Sequence, residues 1–474
     1  MRPREEQYAI VGGGLVGSLM AIFLKRKGLN VVVFEKRADL RIGGGESGRS
    51  INLIATSRGI HALRKLDLWD EVKKITVPVL GRMIHSLEGE LNFQPYGKDK
   101  NECNYSVSRS RLNGVLMSLA EKEGVEFRFK SQLKSCDFNK REYTFINGEG
   151  FEEIYKLGIV FGADGGGSQC RKSLMEYLKE KRPEKFRAKE YFENIGPLES
   201  GYKEFFMPAD KSGNYVLNKD SLHIWPRGRY MFMTLANLEG SFTGTLYLPH
   251  ESKKGEPNFK DLTSPEKAKE LFNKKFHDAE NLLPELEEEF FKHPTGNLGT
   301  VRCYPWFLED KMLLIGDAAH GIVPFFGQGM NCGFEDCVYL DSLILQGQEN
   351  WEILFEKFLK KRKENADAIA DMALENFFEM KDKVGDPRFL LKKQVENMLE
   401  KSFPSLYRSR YAMVTFSLID YKHAFQLGKI QKELIDHLTE GLESKEQLDL
   451  NYAKKCIEEK ITPYVKKNHL NFNF

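Results

Sequence analysis

Short apolar runs alternate with helical periodicity at the start of the chain. Residues 8–11 form an apolar run, and apolar residues at helical spacing follow it at Leu19 and Ile22. A second apolar run occupies residues 30–35, and helical spacing returns over residues 61–72. This strand–helix–strand order predicts a doubly wound α/β domain.

The pattern of the sequence changes beyond this region. Alternating polar and apolar residues, typical of strands, dominate residues 81–96 and 189–249 and predict a separate β-sheet. Residues 253–292 are highly charged but carry apolar residues at helical spacing, which indicates a solvated helical excursion. Residues after about 350 are rich in Lys, Glu, Leu and Phe and predict a helical C-terminal region.

Together these segments predict an α/β protein with a Rossmann-type domain, an inserted β-sheet domain and a helical C-terminal region. The sheet domain is an insertion because nucleotide-binding motifs, described below, lie on both sides of it. The predicted boundaries are 1–80 with 97–185 and 296–350 for the Rossmann-type domain, 81–96 with 186–295 for the sheet domain, and 351–474 for the helical region.

Composition excludes several classes of protein. The 474 residues carry a net charge of +2, so no overall field would recruit nucleic acid. The seven cysteines form no C-x-x-C pair and no zinc-like spacing with histidine, which predicts reduced thiols and no metal site. Neither a signal region nor a segment apolar enough to span a bilayer is present, so we expect a cytoplasmic protein without a membrane anchor.

A glycine-rich turn follows the first apolar run. It has the form G-x-G-x-x-G, and an acidic residue closes the next predicted strand about twenty residues later. This spacing lets the backbone approach a pyrophosphate at a helix N-terminus and lets the acid bind a ribose, whereas a chance glycine loop lacks the flanking strand and helix. The predicted dinucleotide site around this turn comprises Gly12, Gly14, Leu15, Gly17, Glu35, Lys36 and Arg37.

Two further motifs indicate that the dinucleotide is FAD. The Asp164-Gly165 pair ends a predicted strand just before a helix start, and we assign Asp164 to the cofactor site. The Gly316-Asp317 pair offers a carboxylate for a ribityl hydroxyl, while residues 327–331 offer backbone donors that would stabilise an anionic reduced flavin. No second G-x-G-x-x-G with an apolar strand directly before it and a helix after it is visible in the sequence, so we expect no dedicated nicotinamide domain.

The order of these motifs resembles the class A FAD-dependent aromatic hydroxylases. More narrowly, the chain from residue 8 to about residue 425 resembles the kynurenine 3-monooxygenase family in five segments, 12–18, 48–53, 82–87, 106–109 and 323–331. The resemblance implies that NADPH and O2 are used to hydroxylate L-kynurenine to 3-hydroxykynurenine through a flavin C4a-hydroperoxide. The flavin and the electron-rich ring would then supply the reactivity, so we assign no protein acid or base as catalytic.

The same resemblance assigns individual site residues. Those matched to the family's substrate-binding positions are Arg82, Tyr96, Asn376 and Tyr411. Those matched to FAD contacts are Val16, Arg109, Leu133, Asp317, Met330 and Asn331. An arginine would pair with the substrate carboxylate and tyrosine hydroxyls would donate to it. Since a strand arginine is usually solvated and a tyrosine usually packs, the interpretation depends on the joint match.

The C-terminal segment departs from the eukaryotic members of that family. Those members carry a C-terminal membrane segment, whereas residues 425–474 here contain many Lys, Glu and Asp residues. The departure concerns location and leaves the flavin and substrate motifs unchanged.

Two other functions stay open from the sequence. A related flavin hydroxylase would act on another aromatic acid and would turn over simple phenols but not kynurenine. A flavin-binding sensor would hold FAD without substrate-stimulated NADPH oxidation. Binding of nucleic acid is disfavoured because the charges are mixed throughout the chain.

Overall fold

The computed structural model describes residues 4–42, 52–253, 255–345, 350–382 and 386–472. Residues 48–51 therefore lie outside the described residues. They belong to one of the five segments that resemble the family. The chain divides into two compact units. Unit 1 comprises Met1–Thr76, Val107–Leu198 and Leu298–Ala370, and unit 2 comprises Val77–Ser106, Glu199–Asn297 and Asp371–Phe474.

The strands are named in chain order. They are β1 Arg4–Val11, β2 Val31–Phe34, β3 Asn52–Ala55, β4 Thr76–Val79, β5 Gly81–His85, β6 Leu91–Pro95, β7 Asn104–Ser108, β8 Glu126–Arg128, β9 Gln132–Asp137, β10 Glu142–Ile146, β11 Glu152–Gly162, β12 Phe192–Met207, β13 Ser221–Pro226, β14 Met231–Ala236, β15 Phe242–Pro249, β16 Gly296–Tyr304, β17 Phe307–Leu308 and β18 Met312–Leu314.

The helices are named in the same way. They are α1 Leu15–Arg26, α2 Ser57–Lys65, α3 Trp69–Lys73, α4 Arg109–Lys122, α5 Gln169–Lys181, α6 Pro183–Arg187, α7 Pro265–Lys275, α8 His277–Glu280, α9 Leu286–Lys292, α10 Asp317–His320, α11 Gly329–Leu345, α12 Trp351–Asp382, α13 Pro387–Ser402, α14 Arg410–Phe416, α15 Tyr421–Leu438, α16 Leu450–Lys460 and α17 Thr462–Lys467.

A largely parallel sheet forms the centre of unit 1. Its strand order is β17-β18-β11-β1-β2-β8, and β9 and β10 extend it from β11. Strand β1 lies parallel to β11 and β2, with Val11 in register with Gly162 and Phe34. All four residues of β2 are buried, as expected for a parallel strand covered on both faces. The carboxyl ends of these three strands meet at one edge, where open α/β sheets bind ligands.

The predicted strand–helix–strand order is confirmed. The apolar run at 8–11 lies in β1, α1 begins at Leu15, and the run at 30–35 contains β2. Leu19 and Ile22, whose spacing predicts a helix, are fully buried in α1. The predicted fold class is also confirmed, with a Rossmann-type domain, an inserted sheet and C-terminal helices. The three-part domain boundaries stay a prediction, since the two compact units group the C-terminal helices with the second sheet.

A mainly antiparallel sheet dominates unit 2. Within this unit the strand order is β12-β15-β14-β13-β5-β6, and only β5 and β13 in that series pair in parallel. Side chains alternate along a strand, so Arg82 and His85, three residues apart on β5, project to opposite faces. The face that carries His85 belongs to the unit's apolar core, which includes Trp225, Phe232 and Phe242.

The charged segment 253–292 is helical, as predicted, but it is more than a solvated excursion. Its helices α7 to α9 contribute Phe272, Phe276 and Leu286 to the apolar core of unit 2, and each of these is at most 4% exposed. Because the apolar residues repeat at helical spacing, one face packs inward while most of the charges lie on the other. The spacing indicated this face, but it did not show that the face packs against the sheet.

Two histidines form a hydrogen-bonded chain on the core face of the second sheet. His85 Nδ1 lies 2.7 Å from the Asp278 carboxylate, and its Nε2 lies 2.9 Å from His223 Nδ1. His223 Nε2 lies 2.8 Å from the carbonyl oxygen of Asn218. Because a carbonyl only accepts, His223 donates through Nε2, and its Nδ1 then accepts from Nε2 of His85. The indole of Trp225 donates to the same carboxylate and stacks on His85.

This arrangement predicts a pH-dependent contribution to stability. Burial lowers the pKa of His223 from an ordinary value of 6.5 to about 4. Between these values the unfolded chain binds more protons, so stability is lost as the pH falls from 6.5 towards 4. We predict that the gap in unfolding free energy between the native chain and His223→Gln narrows by about 2 kcal/mol from pH 7 to pH 5.

Urea unfolding followed by tryptophan fluorescence at the two pH values measures this gap. Replacement of the exposed His277 by glutamine is the matched control and should leave the native pH dependence unchanged. A gap for His223→Gln that is independent of pH would contradict the assignment.

The C-terminal region and the cysteines also agree with the sequence predictions. Helices α13 to α17 follow one another between residues 387 and 467. All seven cysteines are free thiols, and five of them are buried. Among the residues that the structure describes, no helix combines the length and the apolar character needed to cross a membrane.

Candidate functional site

Two glycines, one in the turn between β1 and α1 and one in the first turn of α1, leave no room for a side chain. Gly12 has a φ of +107°, and a Cβ atom there would lie 2.5 Å from the carbonyl oxygen of Ala163. A Cβ atom at Gly17 would lie 1.9 Å from the carbonyl oxygen of Gly12. At Gly14, in contrast, a Cβ atom would have no described neighbour within 4 Å. The turn is therefore packed on its inner side and open at Gly14, where a ligand can approach the backbone.

Glu35 directly follows β2 and stabilises this turn. Its carboxylate accepts the amide of Gly13 at 2.9 Å and both the amide and Nε of Arg37 at 2.9 Å. Burial disfavours the charged form, but the hydrogen bonds from Arg37 and Gly13 outweigh it and lower the pKa of Glu35. The acid predicted to bind a ribose is thus a fixed anion at this sheet edge.

The Gly316-Asp317 turn packs closely on α1. Gly316 has a φ of +59°, and a Cβ atom there would lie 3.1 Å from Cγ2 of Val16. A Cβ atom at Gly333 of α11 would lie 2.6 Å from the same methyl group. Glycines at both positions therefore let α1, α10 and α11 meet. Asp317 is exposed, so its carboxylate is accessible to a ligand.

Asn331 in the first turn of α11 uses its side chain within the protein. Its Oδ1 accepts the amides of Thr56 at 2.9 Å and Gly59 at 3.2 Å, and its Nδ2 donates to the carbonyls of Ile54 and Gly327 at 2.8 Å. The first amides of a helix lack a partner within the helix, and a contact between FAD and the backbone amide of Asn331 stays a prediction.

Asp164 caps α5. It accepts the hydroxyl of Ser168 at 2.5 Å and the amide of Gln169 at 2.7 Å. In the same helix the buried Arg171 donates to the carbonyl of Ala318 at 2.9 Å, which ties α5 to α10. Both carboxylate oxygens of Asp164 thus accept hydrogen bonds from the start of α5. A direct contact between Asp164 and the cofactor stays a prediction.

The other predicted cofactor residues fall into two groups. Arg109, the first residue of α4, and Lys36, just after β2, are exposed. Leu15, Leu133 and Met330 are at most 9% exposed, so their side chains belong to the core of unit 1. Their contacts with FAD stay predictions.

Three of the predicted substrate residues lie together in unit 2. The Arg82 guanidinium carbon lies 5.8 Å from the ring centroid of Tyr96, and the rings of Tyr96 and Tyr411 stack with their centroids 5.1 Å apart. The Tyr411 hydroxyl accepts from Nδ2 of Asn104 at 2.9 Å. Burial raises the pKa of both tyrosines, so both hydroxyls remain protonated and can donate.

Asn376 lies on α12, about one helical turn before the acidic residue Glu379. Its Nδ2 lies 3.5 Å from the Met380 sulfur. Glu379, a neighbour on the same helix, forms an ion pair of 3.4 Å with Lys393. Burial disfavours its charge, but Lys393 and nearby arginines, including Arg82, outweigh this and lower the pKa of Glu379. The structure thereby places an anion within the field of Arg82.

Residues 5–373 match the family described as the FAD binding domain. A kynurenine 3-monooxygenase of Myxococcus xanthus is 46% identical over 467 residues, which covers 98% of this chain and 97% of that protein. One from Christiangramia forsetii is 38% identical and covers 98% of this chain and 100% of that protein. The chain belongs to the kynurenine 3-monooxygenase family.

Solved structures support the fold assigned to this member of the kynurenine 3-monooxygenase family. A 2-methyl-3-hydroxypyridine-5-carboxylic acid oxygenase superposes with a TM-score of 0.61 at 20% identity, covering 82% of this chain and 96% of that one. Pseudomonas aeruginosa PqsL superposes with a TM-score of 0.61 at 16% identity, covering 80% and 97%. At these identities the likeness concerns the fold.

Residues of this family member that were not predicted from the sequence include Asn104, Glu379 and Lys393. Asn104 begins β7, two residues before the segment 106–109 that resembles the family, and its partner Tyr411 is 307 residues away. Glu379 belongs to a highly charged helix, where an acid is usually a solvated surface residue. A polar residue three positions after Asn376, on the same helical face, is the one signal that could have singled out Glu379.

The glycine turn fits the FAD that the kynurenine 3-monooxygenase family binds, and it makes a prediction. Gly14→Ala adds a methyl group to the open side of the turn, so the protein should fold while binding FAD at least about tenfold more weakly. Gly17→Ala adds its methyl group against the Gly12 carbonyl and should instead lower the folding stability.

Quenching of FAD fluorescence and thermal unfolding of the cofactor-free protein separate the two effects. Native FAD affinity in folded Gly14→Ala would show that the cofactor does not approach this turn.

Proposed function

We propose that this chain hydroxylates L-kynurenine to 3-hydroxykynurenine, using NADPH and O2 with FAD as its bound cofactor. The observation that carries the proposal is the cluster of Arg82, Tyr96 and Tyr411 in a chain of this family. The family resemblance assigns the same three residues to substrate binding.

The chemistry of the cluster suits a zwitterionic amino acid. The half-buried Arg82 offers a charge-assisted and geometrically specific partner for an α-carboxylate. The stacked Tyr96 and Tyr411 offer hydroxyl donors, and Asn104 holds the Tyr411 hydroxyl by donating to it. Glu379 supplies an anion for an α-ammonium group. Asn376 offers an amide that can bond either end.

The protein's own contribution is binding and orientation. FAD, when bound, supplies the redox chemistry that transfers oxygen to the ring. The residues expected to hold it are the open turn at Gly14, the fixed carboxylate of Glu35, the exposed Asp317 and the first amides of α11. The 2-aminophenyl ketone of kynurenine is electron-rich beside its amino group, so this assignment needs no protein acid or base.

A turnover measurement tests the proposal. The FAD-loaded protein is assayed for NADPH oxidation with and without L-kynurenine, and the product is identified by mass spectrometry. We expect kynurenine to stimulate oxidation and to gain one oxygen atom. Stimulation by 4-hydroxybenzoate but not by kynurenine would indicate a related hydroxylase, and FAD binding without stimulation by any aromatic acid would indicate a sensor.

The assignment of Arg82 makes a sharper prediction. Arg82→Ala removes the proposed partner of the substrate carboxylate and should weaken kynurenine binding by about 2 kcal/mol, roughly 30-fold in Kd. Binding of FAD should be unchanged, because every residue expected to hold FAD lies in unit 1. Perturbation of the flavin absorbance by kynurenine measures the Kd.

Arg229→Ala is the matched control. Arg229 lies in the turn between β13 and β14 of the same unit and forms an exposed ion pair with Glu256 at 2.8 Å. It should retain native kynurenine affinity. An equal loss in the two variants, or no loss in Arg82→Ala, would refute the role of Arg82.

A cytoplasmic location, which the sequence predicts, stays a prediction. Fractionation of the native host and detection of the chain in the supernatant would test it.

A further inference from the structure

Two adjacent acids interrupt an otherwise mostly apolar stretch of α11. These residues, Glu335 and Asp336, lie near the middle of the helix, and Asp336 is completely buried. A buried carboxylate is stable only when it is paired and fully hydrogen-bonded. Its partners therefore indicate why the chain retains it.

Asp336 binds the flavin motif directly. Its Oδ2 accepts the backbone amide of Gly316 at 3.0 Å and faces Nε2 of His320 at 2.5 Å. Its Oδ1 accepts Nε of Arg362 at 2.7 Å. The Asp336 carboxylate thus binds the amide of Gly316, which precedes Asp317, together with His320 and Arg362.

The neighbouring acid extends this network. Glu335 pairs with Arg362 at 2.5 Å and also with Arg58 of α2. Both arginines are at most 2% exposed. Although burial opposes the charge, Asp336 raises the pKa of His320 well above its ordinary value, so that histidine is an imidazolium. Counted over the described residues, the cluster contains three cations, Arg58, His320 and Arg362, and two carboxylates, and these sum to one net positive charge.

The same group of atoms resembles a metal site in its composition. Ligand atoms of His320, Cys332 and Asp336 lie within 4.8 Å of one another. However, Arg362 donates to Asp336 and lies 3.4 Å from the Cys332 sulfur. A guanidinium in this position already supplies the positive charge, so we interpret the group as an ion-pair network.

We propose that Asp336 is a positioning residue for FAD, and that the cationic His320 which it holds raises the reduction potential of the bound flavin. The inference rests on the proposed placement of FAD at Asp317. Asp336 acts by fixing the Gly316 amide, and hence the turn that presents Asp317. His320 acts through its charge, because a fixed cation near the cofactor stabilises the anionic reduced flavin relative to the oxidised form.

Two substitutions separate these roles. His320→Gln keeps an N–H donor for Asp336 but removes the charge. It should bind oxidised FAD within about threefold of the native affinity, while its affinity for reduced FAD relative to oxidised FAD falls at least tenfold, which is about 30 mV in midpoint potential for a two-electron couple. Asp336→Asn should instead weaken FAD binding about tenfold and leave the midpoint potential unchanged. Without the carboxylate His320 loses its proton, so the net charge of the cluster stays the same.

His61→Gln is the matched control for the first variant. His61 lies on α2 of the same unit, near enough for Glu335 to act on it, but burial lowers its pKa below 6.5 and it is neutral at pH 7.5. This substitution should change neither the affinity for FAD nor the potential. The potentials are measured at pH 7.5 by equilibration of the FAD-loaded protein with a reference dye, and the affinities by fluorescence titration.

The outcomes decide between positioning and a purely structural role. A native potential in His320→Gln, an equal shift in His61→Gln, or native FAD affinity in Asp336→Asn would each overturn the proposal. If neither variant of the cluster folds with FAD bound, the network is a folding core and the proposal also fails. Neither readout involves kynurenine, so failure of the proposed substrate leaves this test intact.

Discussion

Close backbone packing at the first glycine turn is the constraint on which the rest of unit 1 depends. With the carbonyl of Ala163, the residue after β11, on one side of Gly12 and the Gly12 carbonyl against Gly17, α1 must start directly at the edge of the sheet. That start places Val16 against Gly316 and Gly333, which fixes the second flavin motif and the beginning of α11. The surface expected to face the cofactor is therefore set by the close approach of three backbone segments, the first glycine turn, the Gly316 turn and the start of α11. Side chains make smaller adjustments to it.

The two units use charge in different ways. In unit 1 the charges of α2, α11 and α12 are buried and paired with one another, so their positions are fixed before any ligand arrives. Preorganised charges of this kind need little rearrangement when a cofactor changes its own charge. In unit 2 Arg82 is half-buried and lies beside the ring of Tyr96, which stacks on Tyr411. Such a partly exposed cation suits a side chain that binds and releases a ligand.

Local motifs were predictable from the sequence, whereas most partners were not. The strand, the glycine turn and Glu35 follow one another within 35 residues, so spacing alone defines their relation. The pairing of Asp336 with Arg362 joins two helices, and periodicity identifies the face of a helix but not what that face meets. Asn331 shows the same limit, because its side chain proves to bond to the backbone at Ile54, Thr56, Gly59 and Gly327, most of them distant in sequence. The apolar face of segment 253–292 was visible as helical spacing, but its packing into the core was not, because its charges suggested a solvated helix.

The contact between Val16 and Gly333 has an evolutionary consequence. With 2.6 Å between the Val16 methyl group and the Cβ atom of any larger residue at 333, the two positions share one fixed volume. An alanine at 333 is compatible with this backbone only together with a smaller side chain at 16. Substitutions at these two positions, 317 residues apart in the chain, should therefore be epistatic, each harmful alone and tolerated as a pair.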